Sequence, residues 1–249
     1  MTLADLLPFI LIGFAAQLVD GALGMAFGVI STTLLISTGV PPAAASASVH
    51  IVESFTTGIS GLSHSLMRNV DWKMLARLAI PGIIGGILGA YVLANTLPEI
   101  ARPLVLAYLA LIGLYLLWRG YRLGKHRERH PKVVEPVALA GGFLDAAGGG
   151  GWGPVVTSNL LVQGGNPRKT IGTVNTAEFF VAITISATFI ATLGWEDFTA
   201  ATLGLLFGGI IAAPFGAILA KRLPAGTLMI MVGIVLTITS AYGIWRSLT

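Results

Sequence analysis

The stretch Gly141–Pro154 constrains the fold of this chain more than any other part of the sequence. It holds seven glycines, Asp145 and Pro154 between two apolar runs. A helix does not continue through four adjacent glycines, because each costs about 1 kcal/mol relative to alanine. Irregular backbone and a carboxylate are tolerated at membrane depth where they are buried in protein or line a cavity. We therefore interpret this stretch as a helix break built for binding.

Composition indicates that the break lies in a membrane. The 249 residues are 55% apolar and 10% charged, whereas soluble domains have about 25% charged residues. We predict an all-α, polytopic membrane protein in which residues 1–249 form a single transport domain. The chain has no cysteine, which excludes disulfides and thiolate chemistry. The pI of 9.6 is explained by Lys and Arg in cytoplasmic loops, so the predicted partner is the lipid bilayer and not nucleic acid.

The sequence contains an internal repeat. A shift of 125 residues places Asp20 on Asp145 and Glu53 on Glu178, and ten of the 34 positions from 20 to 53 are identical. Chance would give about two or three identities at this composition. The first and fifth apolar segments are interrupted copies of each other and are longer than the roughly 20 residues of a membrane helix. The eight segments are 6–37, 43–66, 74–95, 99–118, 136–163, 170–193, 198–220 and 225–246.

The distribution of positive charge favours inverted halves. If all eight segments cross, the halves are parallel and the Lys and Arg residues divide 10 to 5. If the first and fifth segments are re-entrant hairpins, the halves are inverted and the division is 13 to 2, which fits the positive-inside rule better. We predict two inverted repeats, 1–119 and 136–249, each with a broken, Gly-rich hairpin and three transmembrane helices. The chain then lies in the cell (inner) membrane with both termini on the outer side and loop 120–135 in the cytoplasm.

The hairpins are predicted to have half-helices of 12–14 residues, about 18–21 Å long, which place the glycines near mid-depth. The second half-helices should start near Gly28 and Gly153. Their N-termini would offer unpaired N–H groups and partial positive charge, which is a natural anion site. In the alternative interpretation, the glycines only allow close helix packing.

Four carboxylates at membrane depth form two repeat-related pairs: Asp20 with Asp145, and Glu53 with Glu178. They can line a substrate path and exchange protons. Alternatively, they accept hydrogen bonds from backbone N–H groups at the breaks, and the aspartates cap the second half-helices.

Further candidates surround these carboxylates. His50 is three residues from Glu53 and Asn175 three from Glu178, so each pair shares a helix face. Hydroxyl groups near the starts of the second and sixth segments can complete an anion shell or bond their own helix backbone. A metal site would have a single histidine, so we predict no metal and no cofactor. The candidate binding residues are Gly24, Gly28, Ser46, Ser48, His50, Gly149, Gly150, Gly151, Trp152, Gly153, Thr173 and Asn175.

The order of these motifs resembles the sulfite exporter TauE/SafE family over nearly the whole chain. The motifs are Asp20–Gly28, Gly39–Pro42 and Glu53, then Asp145–Pro154, Gly164–Pro167 and Glu178. The resemblance implies a permease that moves sulfur-containing anions such as sulfite or an organosulfonate, usually outward.

The functional hypothesis is a secondary transporter that exports a small oxyanion by alternating access, with the glycine tips binding the anion. An inside-negative potential favours anion exit by about 2.3 kcal/mol per charge per 100 mV. Ionised carboxylates would repel an anion, so they must be hydrogen-bonded, neutralised or protonated, which leaves proton coupling open. We do not predict an enzyme. The alternatives are an anion channel and a non-transporting partner of another membrane protein. The sequence does not determine the oligomeric state.

Overall fold

The computed structural model describes residues 3–23, 25–122, 129–194, 199–222 and 225–248. The described residues form helices and no strand, which confirms the predicted all-α fold. The helices are α1 (Leu3–Leu23), α2 (Phe27–Ser37), α3 (Pro42–Leu66), α4 (Trp72–Ala94), α5 (Pro98–Tyr121), α6 (Glu135–Gly148), a π-helical turn (Trp152–Thr157) that continues into α7 (Ser158–Val162), α8 (Pro167–Leu193), α9 (Thr199–Arg222) and α10 (Ala225–Leu248).

Both interrupted segments are broken next to the predicted glycines. The chain resumes helical structure at Phe27 and at Trp152. At the second break, Gly149 and Gly150 have φ angles of 69° and 137°, which only glycine adopts without strain. The helix after this break starts as a π turn, Trp152–Thr157.

The first half-helix is longer than predicted. α1 has 21 residues, whereas α6 has 14, as the half-helix prediction requires. Both helices end three residues after their aspartate, at Leu23 and Gly148, so the extra length of α1 lies at its N-terminal end.

Length and hydropathy identify membrane-spanning helices. Three described helices are long and apolar enough to cross a membrane: Trp72–Ala94, Pro98–Tyr121 and Lys169–Leu193. Four shorter apolar helices are Leu6–Asp20, Phe27–Ser37, Ala200–Ala212 and Met229–Trp245. Apolar side chains such as Ile84, Leu111 and Ile210 are exposed on the outer surface of these helices, as expected where lipid covers a protein. The chain is therefore a polytopic membrane protein.

The helix pairs have defined directions. α3 and α8 run antiparallel, since Gly58 contacts Phe179 and Gly172 contacts His64. α5 and α10 are also antiparallel, since Gly113 lies against Thr237, whereas Leu106 lies against Gly243. The broken helices pack across the halves, α1 on α9 and α6 on α4.

The second broken segment begins and ends at one place. Gln163, just after α7, accepts hydrogen bonds from the N–H groups of Lys132 (2.8 Å) and Val133 (2.9 Å), just before α6. Its Nε2 donates to the Val133 carbonyl oxygen at 3.0 Å. α6 and α7 therefore form a hairpin whose tip is the glycine break.

Gly85→Ala should lower the free energy of unfolding by about 1–3 kcal/mol, because overpacking at a helix interface is destabilising. The added Cβ would overlap the Leu139 carbonyl oxygen and lie 2.9 Å from the Phe143 nitrogen. The matched control is Gly209→Ala, whose Cβ would meet no atom of the described residues closer than 3.9 Å. Unfolding in detergent measures both variants, and equal stabilities would contradict the α4–α6 packing.

Candidate functional site

The two breaks meet inside the molecule. A Cβ on Gly28 would lie 3.0 Å from the Gly150 Cα and 2.9 Å from a carboxylate oxygen of Glu53. A Cβ on Gly153 would lie 2.8 Å from the Met25 Cα. The Thr32 hydroxyl donates a hydrogen bond to the carbonyl oxygen of Gly149. Only glycines permit this approach of backbone to backbone.

Each break is closed by an aspartate that precedes it. Asp20 Oδ1 accepts hydrogen bonds from the N–H groups of Ala26 (2.7 Å) and Phe27 (3.1 Å). Asp145 Oδ1 accepts from the N–H group of Trp152 at 2.9 Å. The carboxylates thus bond to N–H groups left without helical partners, six or seven residues along the chain. This is a structural role, although both aspartates also line the cavity described below.

His50 and Asp145 form a buried pair between α3 and α6, with side chains 0% and 3% exposed. His50 Nδ1 lies 2.7 Å from the Ser46 carbonyl oxygen, which can only accept, so Nδ1 has a hydrogen. His50 Nε2 lies 3.1 Å from Asp145 Oδ2. One proton lies between these two atoms, on an imidazolium or on a neutral carboxyl group. In both cases the pair has no net charge.

A cavity of about 290 Å³ extends from the breaks between the two halves. Its described lining includes all four carboxylates and contains no Lys or Arg. The lining residues are Gln17, Asp20, Met25, Phe27, Gly28, Val29, Glu53, Thr56, Thr57, Ser60, His64, Asp145, Gly151, Trp152, Gly153, Pro154, Ile171, Asn175 and Glu178. The cavity therefore combines helix N-termini, hydroxyl groups and acidic side chains.

The two glutamates lie near the middle of α3 and α8, each eleven residues after the proline that starts its helix. Glu53 is 5% exposed, and its Oε2 has no hydrogen-bond partner among the described residues. Glu178 is half-buried in the same cavity. A buried, ionised oxygen without a partner is costly, so this arrangement favours a neutral Glu53 or a bound cation.

The structure brings some of the predicted binding residues to the cavity. Gly28, Gly151, Trp152, Gly153 and Asn175 line it together with the four carboxylates. Asn175 Nδ2 also donates to the Ser60 hydroxyl at 3.2 Å.

Other predicted residues do not line the cavity. The hydroxyl groups of Ser48 and Thr173 donate to the carbonyl oxygens of Ala44 and Lys169 in their own helices, at 2.8 and 2.6 Å. Both hydroxyl groups therefore bond their own helix backbone, which is the stated alternative to an anion shell. A Ser or Thr side chain easily reaches the carbonyl group one turn earlier in its helix. Ser46, His50, Gly149 and Gly150 are buried around the second break, and Gly24 lies outside the described residues.

Sequence reasoning missed several lining residues. Gln17, Thr56, Thr57, Ser60 and His64 all face the cavity. A signal existed, because Thr56, Thr57 and Ser60 are three, four and seven residues after Glu53 and thus share its helix face.

Removing one partner of the His50–Asp145 pair should be costly. His50→Leu leaves Asp145 Oδ2 buried without a partner, and we expect a loss of about 3–5 kcal/mol in unfolding free energy. Asp145→Asn is the matched control. Its amide retains an oxygen for Trp152 N–H and supplies a donor for His50 Nε2, so the change should be within about 1 kcal/mol. Chemical unfolding in detergent measures both variants, and a His50→Leu protein as stable as the parent would contradict the pairing.

Comparisons with known proteins identify the family. A family model described as Sulfite exporter TauE/SafE matches residues 9–243. The chain is also similar to the probable membrane transporter protein YtnM of Bacillus subtilis (strain 168), with 44% identity over 236 residues that cover 92% of this chain and 79% of YtnM. No solved structure matches it. These matches confirm the resemblance that the motifs carried: the chain belongs to the sulfite exporter TauE/SafE family of membrane transporters.

Proposed function

We propose that the chain is a secondary transporter that exports a small sulfur-containing oxyanion, such as sulfite or an organosulfonate, by alternating access. The observation that carries this proposal is the cavity where both helix breaks meet. Interrupted helices at corresponding positions of two repeats form the binding sites of many secondary transporters. A volume of about 290 Å³ accommodates a small oxyanion with several waters, at about 30 Å³ for each water.

Charge balance defines how an anion can bind in this acidic cavity. Asp145 is neutralised by His50, and Asp20 accepts two backbone hydrogen bonds. Glu53 and Glu178 have no such compensation among the described residues, and both glutamates in ionised form would repel an anion. We propose that they carry protons when the anion is bound, so that anion and proton movements are coupled. The anion is then bound by the N-terminal ends at Gly28 and Gly153 and by the side chain of Asn175.

The antiparallel pairs support a topology of inverted halves, 1–119 and 136–249. α3 and α8 are repeat equivalents that run in opposite directions, as are α5 and α10. The two ends of the α6–α7 hairpin lie together, as expected for a hairpin that enters and leaves the membrane on one face. In this topology loop 120–135 faces the cytoplasm of a cell whose inner membrane holds the chain, and both termini are outside.

Reconstitution in liposomes tests the function. Sulfite and simple alkanesulfonates loaded inside should leave the vesicles in a saturable way and exchange against the same anion outside. A channel would conduct without such counterflow. If neither anion moves with or without a proton gradient, the transporter proposal is wrong.

Glu53→Gln and Glu178→Gln should remove the response of anion efflux to an imposed pH gradient, because an amide cannot release a proton. Glu99→Gln is the control, since Glu99 is exposed at the start of α5, away from the cavity. The measurement is efflux at matched and opposed pH gradients. Retention of the gradient response in both glutamine variants would contradict coupling through these residues. Absence of anion efflux from the parent protein would instead agree with the alternative of a non-transporting partner.

A further inference from the structure

The two halves of the chain pack differently beside the breaks. α4 packs against α8, where a Cβ on Gly82 would lie 2.6 Å from the Trp152 ring and 3.0 Å from Val181. The equivalent glycine of the other half is Gly209, by the shift that aligns Tyr115 with Tyr242. Within the part of the chain that the structure describes, a Cβ there would meet no atom closer than 3.9 Å. One packing site is thus closed and its repeat equivalent is open.

The same asymmetry appears where α3 and α8 begin. Ser46 donates to the Ala146 carbonyl oxygen at 2.8 Å, and His50 contacts Asp145, so α3 is joined to the second break. Their equivalents, Ile171 and Asn175, line the cavity instead. α8 is thus separated from the first break.

The cavity has a buried counterpart in the other half. Its lining residues Thr57, Ser60 and His64 on α3 are equivalent to Ala182, Ile185 and Phe189 on α8. These three α8 residues are at most 1% exposed. They pack on the closed side, where Ile185 lies against Gly86 of α4.

We infer that the molecule has a second anion chamber, closed in this structure and lined by Ser46, His50, Ala182 and Ile185. Two related halves that adopt two different packings can exchange them, because each packing is already compatible with one copy of the repeat. In the exchanged state α8 separates from α4, and α3 closes on α9. This inference rests on the proposed function, and it identifies where the anion binds before it leaves.

The second chamber differs chemically from the first. His50 takes the position that Asn175 has in the open cavity, whereas Ala182 and Ile185 replace the hydroxyl groups of Thr57 and Ser60. Separation from Asp145 leaves His50 Nε2 facing the anion, with Nδ1 still bonded to the Ser46 carbonyl oxygen. An imidazolium would provide a charge-assisted hydrogen bond, stronger than the neutral bond from Asn175. His50 is therefore the residue of the second chamber that contacts substrate.

Thiol labelling tests the second chamber directly, because the chain has no cysteine of its own. Ala182→Cys and Ser46→Cys probe its two walls, and Thr57→Cys probes the open cavity. A membrane-impermeant maleimide is applied to oriented vesicles from each face. We expect Thr57→Cys to react from one face, and Ala182→Cys and Ser46→Cys to react from the opposite face.

Gly209→Ala provides a matched lock. Its methyl group fits the present packing, but in the exchanged state it would be as crowded as a methyl group at Gly82. In this background, labelling of Ala182→Cys and Ser46→Cys should slow by about tenfold, the scale of one overpacking contact. Labelling of Thr57→Cys should stay at its original rate or rise.

Two results would overturn the inference: no reaction of Ala182→Cys and Ser46→Cys from either face, or reaction from the same face as Thr57→Cys. Labelling requires no substrate, so it separates this inference from the proposed function. Saturable anion efflux with an unreactive Ala182→Cys removes the second chamber and leaves the transporter. Reaction at opposite faces without anion efflux retains the second chamber and contradicts the transporter proposal.

Discussion

The structure depends on satisfying backbone N–H groups at two helix breaks inside an apolar layer. The hydrocarbon layer supplies no water, and an unpaired polar group within it costs several kcal/mol. Asp20 and Asp145 lie in the helix before each break and accept hydrogen bonds from N–H groups after it, so each break is a turn closed by a carboxylate. The glycines then let the two turns touch, Gly28 against Gly150. The cavity exists because two satisfied breaks meet at one point.

Once carboxylates close the breaks, the molecule must compensate their charge. It does so at the two aspartates but not at Glu53. Asp145 has a histidine partner, Asp20 has backbone donors, and Glu53 has an oxygen without any partner among the described residues. The uncompensated group is the one placed to exchange a proton with the cavity, which is why proton movement belongs to the proposed function. The same physical requirement thus gives the aspartates a structural role, and the proposed function assigns proton exchange to the glutamates.

The repeat gives two similar sequences, but the packing of the two halves is different. Gly82 is crowded by Trp152, while Gly209 has space. His50 is joined to a break, while Asn175 faces the cavity. In the proposed alternating mechanism the halves can exchange their packings, because neither arrangement requires contacts foreign to the repeat.

The sequence by itself determined where the helices break, which residues repeat and where the glutamates lie along their helices. These are local properties, since glycine disfavours helix wherever it stands and residue spacing fixes height along a helix. Tertiary structure decided which side chains reach the cavity. Ser48 and Thr173 donate hydrogen bonds to their own helix backbones, and His50 pairs with Asp145. Gln17 and His64 line the cavity, although no sequence motif predicted them there. The face that a helix presents depends on neighbours distant in sequence, and no local pattern specifies them.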